Sequence, residues 1–119
     1  VLLYQLFYNL INNSLKFSRT DQPARIVITA ANVKKASEDF LKIVVRDNGI
    51  GFESEHAEKI FGTFERLHAK DKYDGTGLGL ALCRKIAERH GGSIKAEGDL
   101  EKGSAFVVVL PVKQKENNI

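Results

Sequence analysis

Apolar residues recur at three- and four-residue intervals near the start of the chain. Leu2, Leu3, Leu6, Phe7, Leu10 and Ile11 follow this spacing and predict an amphipathic helix over 2–17. A turn-rich run over 18–23 breaks it. The period then drops to two. Over 25–33, Ile26, Ile28 and Ala30 share one face, and farther on Leu41, Ile43 and Val45 alternate with Lys42, Val44 and Arg46. These patterns predict two strands, with the polar stretch 34–39 as a hairpin loop between them. A short helix is expected over 54–60, capped by Ser54 and favoured at its positive end by Glu55. Residues 61–75 hold no clear period and are rich in charge and glycine. A second long helix is predicted over 76–90, with Leu78, Leu82 and Ile86 on one face. Gly91-Gly92 stops it, as a left-handed cap requires. Two closing strands, over 93–98 and 104–110, are joined by a turn over 98–103.

The order α-β-β-α-loop-α-β-β argues for an α+β fold. The expected architecture is a two-layer α/β sandwich: a mixed, mostly antiparallel sheet with about three helices on one face. No repeat or linker divides the chain, so residues 1–112 read as one domain and 113–119 as a polar tail.

Bulk properties narrow the classes without choosing among them. The 119 residues suit a single core. Hydrophobic content of 43% and charged content of 28% are ordinary for a globular domain. No stretch approaches the roughly 18–20 apolar residues of a membrane span. Net charge is +3, from 18 basic and 15 acidic residues scattered along the chain, too little to indicate nucleic acid. The single cysteine, Cys83, excludes an internal disulfide and a Cys-rich zinc site, and reads as a small buried thiol. His56, His68 and His90 lack metal-ligand spacing and read as surface residues. A cytoplasmic location fits this composition.

Three segments carry candidate chemistry. On the first helix, Asn9, Asn13 and Lys16 fall within roughly 60° of one another, at the border of the apolar stripe. Either Asn13 bonds a nearby backbone group, or its carbonyl oxygen serves Mg²⁺, which takes only one or two ligands from many proteins. Lys16 is either a solvated helix-end lysine or a point charge for a phosphate. Asp47 keeps the register of Leu41, Ile43 and Val45, so it points to the buried face at the strand end. There it either caps its own Asn-Gly turn or accepts from a ligand such as the exocyclic amine of adenine. Gly49 and Gly51 allow close backbone approach. Gly75, Gly77 and Gly79 open the last helix, whose free N–H groups suit phosphate oxygens as readily as a plain hinge suits a turn. Arg66, Lys70 and Lys72 precede them, as polyphosphate contacts or as solvated charges.

Spacing removes several rivals. Leu80 stands where a dinucleotide fingerprint needs its last glycine. Gly98 and Gly103 have the P-loop interval, but Ser104 stands where its Lys must be. No His-Arg-Asp or Asp-Phe-Gly marks a serine/threonine kinase.

Taken in order, the segments resemble the ATP-binding catalytic domain of two-component sensor histidine kinases. That domain shares a superfamily with gyrase, heat-shock chaperones and mismatch-repair proteins. Asn9-Leu-Ile-Asn-Asn-Ser-Leu-Lys-Phe-Ser18 looks like the N box, and Asp47-Asn-Gly-Ile-Gly-Phe52 like the first G box. Ile60-Phe-Gly-Thr-Phe-Glu-Arg-Leu-His68 is similar to the F box. Gly75-Thr-Gly-Leu-Gly-Leu80 resembles the second G box, and Gly103-Ser-Ala-Phe106 the final strand motif. The resemblance runs over nearly the whole chain.

It implies ATP and Mg²⁺ as ligands, with Asn13 on the metal and Asn9 and Lys16 beside the phosphates. Asp47 would accept from the adenine amine, assisted through water by Ser104, with Gly49 and Gly51 shaping the base pocket. Arg66, Gly75, Thr76, Gly77, Leu78 and Gly79 would belong to a lid over the triphosphate. The reaction implied is phosphoryl transfer to a histidine nitrogen. The partners implied are a histidine-containing dimerisation domain of a parent kinase, dimeric and either membrane-associated or free, and a downstream response regulator.

The chain departs from the pattern in places. Gly62-Thr63 replaces the usual acidic residue and proline, Tyr4 a basic residue, and Ser14 an alanine. The family's helical domain, with its phospho-accepting histidine, and its opening strand would precede this stretch. The fragment alone is therefore expected not to autophosphorylate, and no catalytic residue is assigned within it. An anti-sigma-type serine kinase and a degenerate nucleotide-binding module are the competing readings.

Overall fold

A computed structural model of the chain describes residues 2–53, 55, 57, 59–61, 78–99 and 102–113. Helix α1 spans Leu2–Lys16 and leads through the 17–25 segment into strand β1, Ile26–Lys35. Strand β2 (Glu38–Asp47) returns antiparallel to β1, with Ile26 opposite Asp47 and Lys35 opposite Glu38. A 3₁₀ turn at Lys59–Phe61 precedes helix α2 (Leu78–Arg89), and strands β3 (Ser93–Asp99) and β4 (Gly103–Pro111) close the chain. The sheet order is β1-β2-β4-β3. Each of its three pairings is antiparallel, so none of the parallel pairing allowed for by a mixed sheet occurs among the described residues.

The core lies between the sheet and the two helices. Leu6 and Leu10 of α1 and Cys83, Ile86 and Ala87 of α2 meet Val45, Ile94, Ala96, Phe106, Val108 and Leu110 from the sheet, all buried. The strand residues alternate, as side chains on one face of a pleated sheet must. Each large side chain taken from water contributes about 1.5–3 kcal/mol before conformational entropy is set against it.

Five expectations change. The 34–39 stretch is not a loop: both strands run on through it to a two-residue turn at Ala36 and Ser37, with φ of 48° and 68°. Such a turn matches the right-handed strand twist, which the commoner turns would splay. Strand β1 lies at the sheet edge, so Ile28 remains 50% exposed and Ala30 is exposed, against the buried face their alternation suggested. The described part of the 54–60 segment is a 3₁₀ turn, so the described residues hold two α-helices where about three were expected; Ser54 lies outside them. On α2 the buried stripe is Cys83, Ile86 and Ala87, whereas Leu82 faces outward at 39% exposure. His90, read as a surface residue, is half-buried, with Nδ1 3.0 Å from the Ile86 carbonyl oxygen.

The end of α2 matches its reading. Gly92 N–H donates to the Ala87 carbonyl at 2.9 Å and Gly91 N–H to that of Glu88 at 3.0 Å, the paired bonds of a Schellman cap.

Cys83 is fully buried, and its Sγ donates to the Leu6 carbonyl across the α1–α2 interface at 3.5 Å. Burial pushes the thiol up to about 11, opposed by the neighbouring Asn9 side chain. The folded state thus holds a proton that the unfolded chain releases near its ordinary value of 9.0. This group's contribution to stability is fully present below pH 9 and is lost as pH rises toward 11. The expected loss is up to about 1.4 kcal/mol per pH unit, measurable as a falling urea midpoint that Cys83→Ala makes shallower.

Candidate functional site

Asp47 ends β2 at a register position shared with both neighbours, Ile26 on β1 and Ser104 on β4. Its carboxylate is only partly exposed. Oδ2 accepts from Ser104 Oγ at 2.9 Å and from Ser14 Oγ at 3.0 Å, while Oδ1 accepts from Gly49 N–H at 2.8 Å. The turn-capping reading is therefore present, but it occupies only one oxygen. A carboxylate offers about four acceptor positions. With three taken inside the protein, the fourth, on Oδ1, is available to a donor. An ionised carboxylate cannot donate, so the arrangement suits an amine and opposes a carbonyl. Ser104 thus bonds Asp47 directly.

The turn after Asp47 is fastened on two sides. Asn48 Oδ1 accepts from Arg25 N–H at 2.8 Å, and its Nδ2 donates to Gln22 Oε1 and the Pro23 carbonyl at 3.1 and 3.0 Å. Ile50 N–H donates to the Phe17 carbonyl at 3.0 Å. A Cβ on Gly49 would stand 2.5 Å from that same oxygen, so the turn closes tightly on the end of the α1 segment. Gly51 has φ of 69°, and a Cβ there would fall 2.2 Å from the Asp99 carbonyl oxygen. Beyond it Phe52 is buried, its ring packed on Gly98.

Helix α1 enters the site through Ser14, which is 3% exposed and pins this end of the helix to Asp47. Asn9 and Asn13 are half-buried along the same border of the helix, and Lys16 is exposed at its end. Asn9 sits against Cys83. The described residues hold no cluster of His, Cys, Asp and Glu suited to a metal. A Mg²⁺ carried largely by phosphate and water needs no such cluster, and the Asn13 amide oxygen is a donor of the right kind. On the other side, Phe61 packs edge-on against Phe106 with centroids 6.2 Å apart, and the Arg84 guanidinium lies 4.4 Å from its ring centre.

The structure thus brings together Asp47, Gly49, Gly51 and Ser104, with Asn9, Asn13 and Lys16 on the adjoining helix. Leu78 is the first residue of α2, and Gly79 follows it with open space where a Cβ would go. Arg66, Gly75, Thr76, Gly77 and the Gly62-Thr63 departure lie outside the described residues. Sequence reasoning missed Asn48, and it took Ser14 only as a departure from a pattern. One signal was available for the serine: Leu6, Leu10 and Ser14 are spaced four apart, which sets a hydroxyl on the apolar stripe.

Comparison with known proteins agrees with this geometry. Residues 1–114 match the family described as histidine kinase-, DNA gyrase B- and HSP90-like ATPase. Cyanobacterial phytochrome A of Nostoc sp. (strain PCC 7120) is 45% identical over 114 residues, covering 96% of this chain but only 14% of that protein. The catalytic domain of histidine kinase ThkA superposes with a TM-score of 0.71 at 31% identity, over 92% of this chain and 66% of that one. Full-length ShkA, solved in complex with AMPPNP, shares the fold with a TM-score of 0.77 at 24% identity, over 99% of this chain and 23% of that one.

Proposed function

The chain belongs to the histidine kinase-, DNA gyrase B- and HSP90-like ATPase family, and on that premise we propose that it binds Mg-ATP and serves as the nucleotide-holding half of a two-component sensor histidine kinase. The observation that carries the reading is the Asp47 carboxylate, held by Ser14, Ser104 and Gly49 with one acceptor position left. Asp47 takes a proton-bearing edge of adenine, its exocyclic amine. Gly49 and Gly51 let the turn close on the Phe17 and Asp99 carbonyls and so shape the base pocket. Asn13 offers an amide oxygen to Mg²⁺, with Asn9 and Lys16 beside the phosphates. When bound, the metal neutralises charge on the β- and γ-phosphates. Arg66 and the glycines at 75, 77 and 79, with Thr76 and Leu78, cover the triphosphate.

The γ-phosphoryl group passes to a histidine on a dimerisation domain outside residues 1–112, and from there to a response regulator. The bound chain positions the donor and supplies charge; the nucleophile comes from the partner domain. The AMPPNP carried by ShkA, a protein of the same fold, supports the choice of nucleotide.

Calorimetric titration with ATP, with and without magnesium, tests the reading. Wild type is expected to bind more tightly with the metal present. Asn13→Ala is expected to lose that difference and to bind Mg-ATP about tenfold more weakly. A folded wild-type chain that releases no heat with Mg-ATP would sink the proposal.

A further inference from the structure

Asp47 is clamped from two different elements, and only one of the two hydroxyls sits beside it in the sheet. Ser104 is its register partner across the β2–β4 ladder, so that contact follows from strand pairing. Ser14 comes from α1, 33 positions away in sequence, and is almost wholly buried. A serine within a helix ordinarily turns its hydroxyl back to a carbonyl one turn earlier. Here the hydroxyl reaches across the layer boundary and donates to Oδ2.

Gly49 N–H on Oδ1 and two hydroxyls on Oδ2 leave the carboxylate no rotation about its last torsion that keeps all three bonds. We propose that Ser14 is a positioning residue: by holding the carboxylate plane it aims the remaining Oδ1 acceptor position and so sets the discrimination between a 6-amino and a 6-oxo purine nucleotide. This rests on the reading of Asp47 as the base-recognising group. A 6-oxo base would set a carbonyl against a carboxylate that cannot turn away or donate. Without Ser14 the carboxylate gains a torsional freedom that relaxes its preference for the amine.

The test compares ATP with inosine triphosphate, whose bases differ at that substituent, by calorimetry on the 119-residue chain. Ser14→Ala is expected to weaken ATP about three- to tenfold, the worth of one net hydrogen bond, and to leave inosine triphosphate unchanged. Ser14→Thr, which returns the hydroxyl, is expected to restore the ratio of the two affinities. A Ser14→Ala effect equal on both nucleotides would reduce the residue to packing and overturn the proposal, as would no effect on either. Asp47→Asn serves as the separate check on the underlying reading. If it preserves the wild-type preference for ATP, Asp47 does not read the base and the failure lies there, whatever Ser14→Ala does.

Discussion

Asp47→Asn is expected to weaken Mg-ATP binding about 100-fold or more without unfolding the chain. The amide has the shape of the carboxylate but only one acceptor atom. If its oxygen faces Gly49 and the adenine amine, its nitrogen faces the Ser14 and Ser104 hydroxyls. Both must then turn to accept, and their own protons need new partners in a place where Ser14 is 3% exposed. If the amide is reversed, a donor faces Gly49 N–H and the incoming amine. Either arrangement gives up a charge-assisted bond, and leaves a buried donor unpaired besides. Those terms together are on the order of 3 kcal/mol, or about 100-fold in affinity. Calorimetry on the variant, beside a thermal melt that establishes folding, checks this. Binding within about threefold of wild type would remove Asp47 from the role given to it.

The second large effect is on the fold. Gly103 has φ of 124°, and a Cβ there would stand 2.0 Å from the Asp47 carbonyl oxygen and 3.1 Å from Asn48 Cα. Those neighbours are backbone and cannot swing aside. Gly103→Ala must push β4 away from β2 at the very point where Ser104 meets Asp47. The expected cost is about 3 kcal/mol or more, seen as a lower urea midpoint, with nucleotide binding reduced in what remains folded. Gly79→Ala is the matched control. It has open space around it inside α2, and gaining a helix-favouring side chain there should be neutral or stabilise by up to about 1 kcal/mol. Similar losses from the two substitutions would show that the crowding at Gly103 is not what matters.

Much of this was legible in the sequence, for reasons that can be named. The helices and central strands declared themselves by period because one face of each is buried. Gly91-Gly92 declared the helix stop because a cap needs that chemistry. Ile28 and Ala30 misled because alternation marks a strand with two distinct faces without saying whether a helix covers either; α1 packs over β2 and leaves β1 at the edge. The hairpin itself was legible, but the tightness of its turn was hidden by Ala36 and Ser37, which turn with positive φ without the glycine or asparagine that signals such turns. Leu82 fits the same helical spacing as Ile86 but faces outward. In the site, Asp47 was visible from its register and its glycines. The spacing of Ser14 with Leu6 and Leu10 marked a hydroxyl on the apolar stripe but could not name its partner, which lies 33 residues on, and Asn48 looked like any turn asparagine.

Asp47 belongs at once to the β1–β2 and the β2–β4 ladders, being paired with Ile26 on one side and Ser104 on the other. Its peptide cannot shift without breaking a rung of both ladders at once. A recognition group borne on a free loop must be ordered each time a ligand arrives, and that lost freedom is subtracted from every binding event. Here the corresponding entropy is settled once, when the chain folds. Arrival and departure of a ligand at Asp47 can therefore be fast without being imprecise.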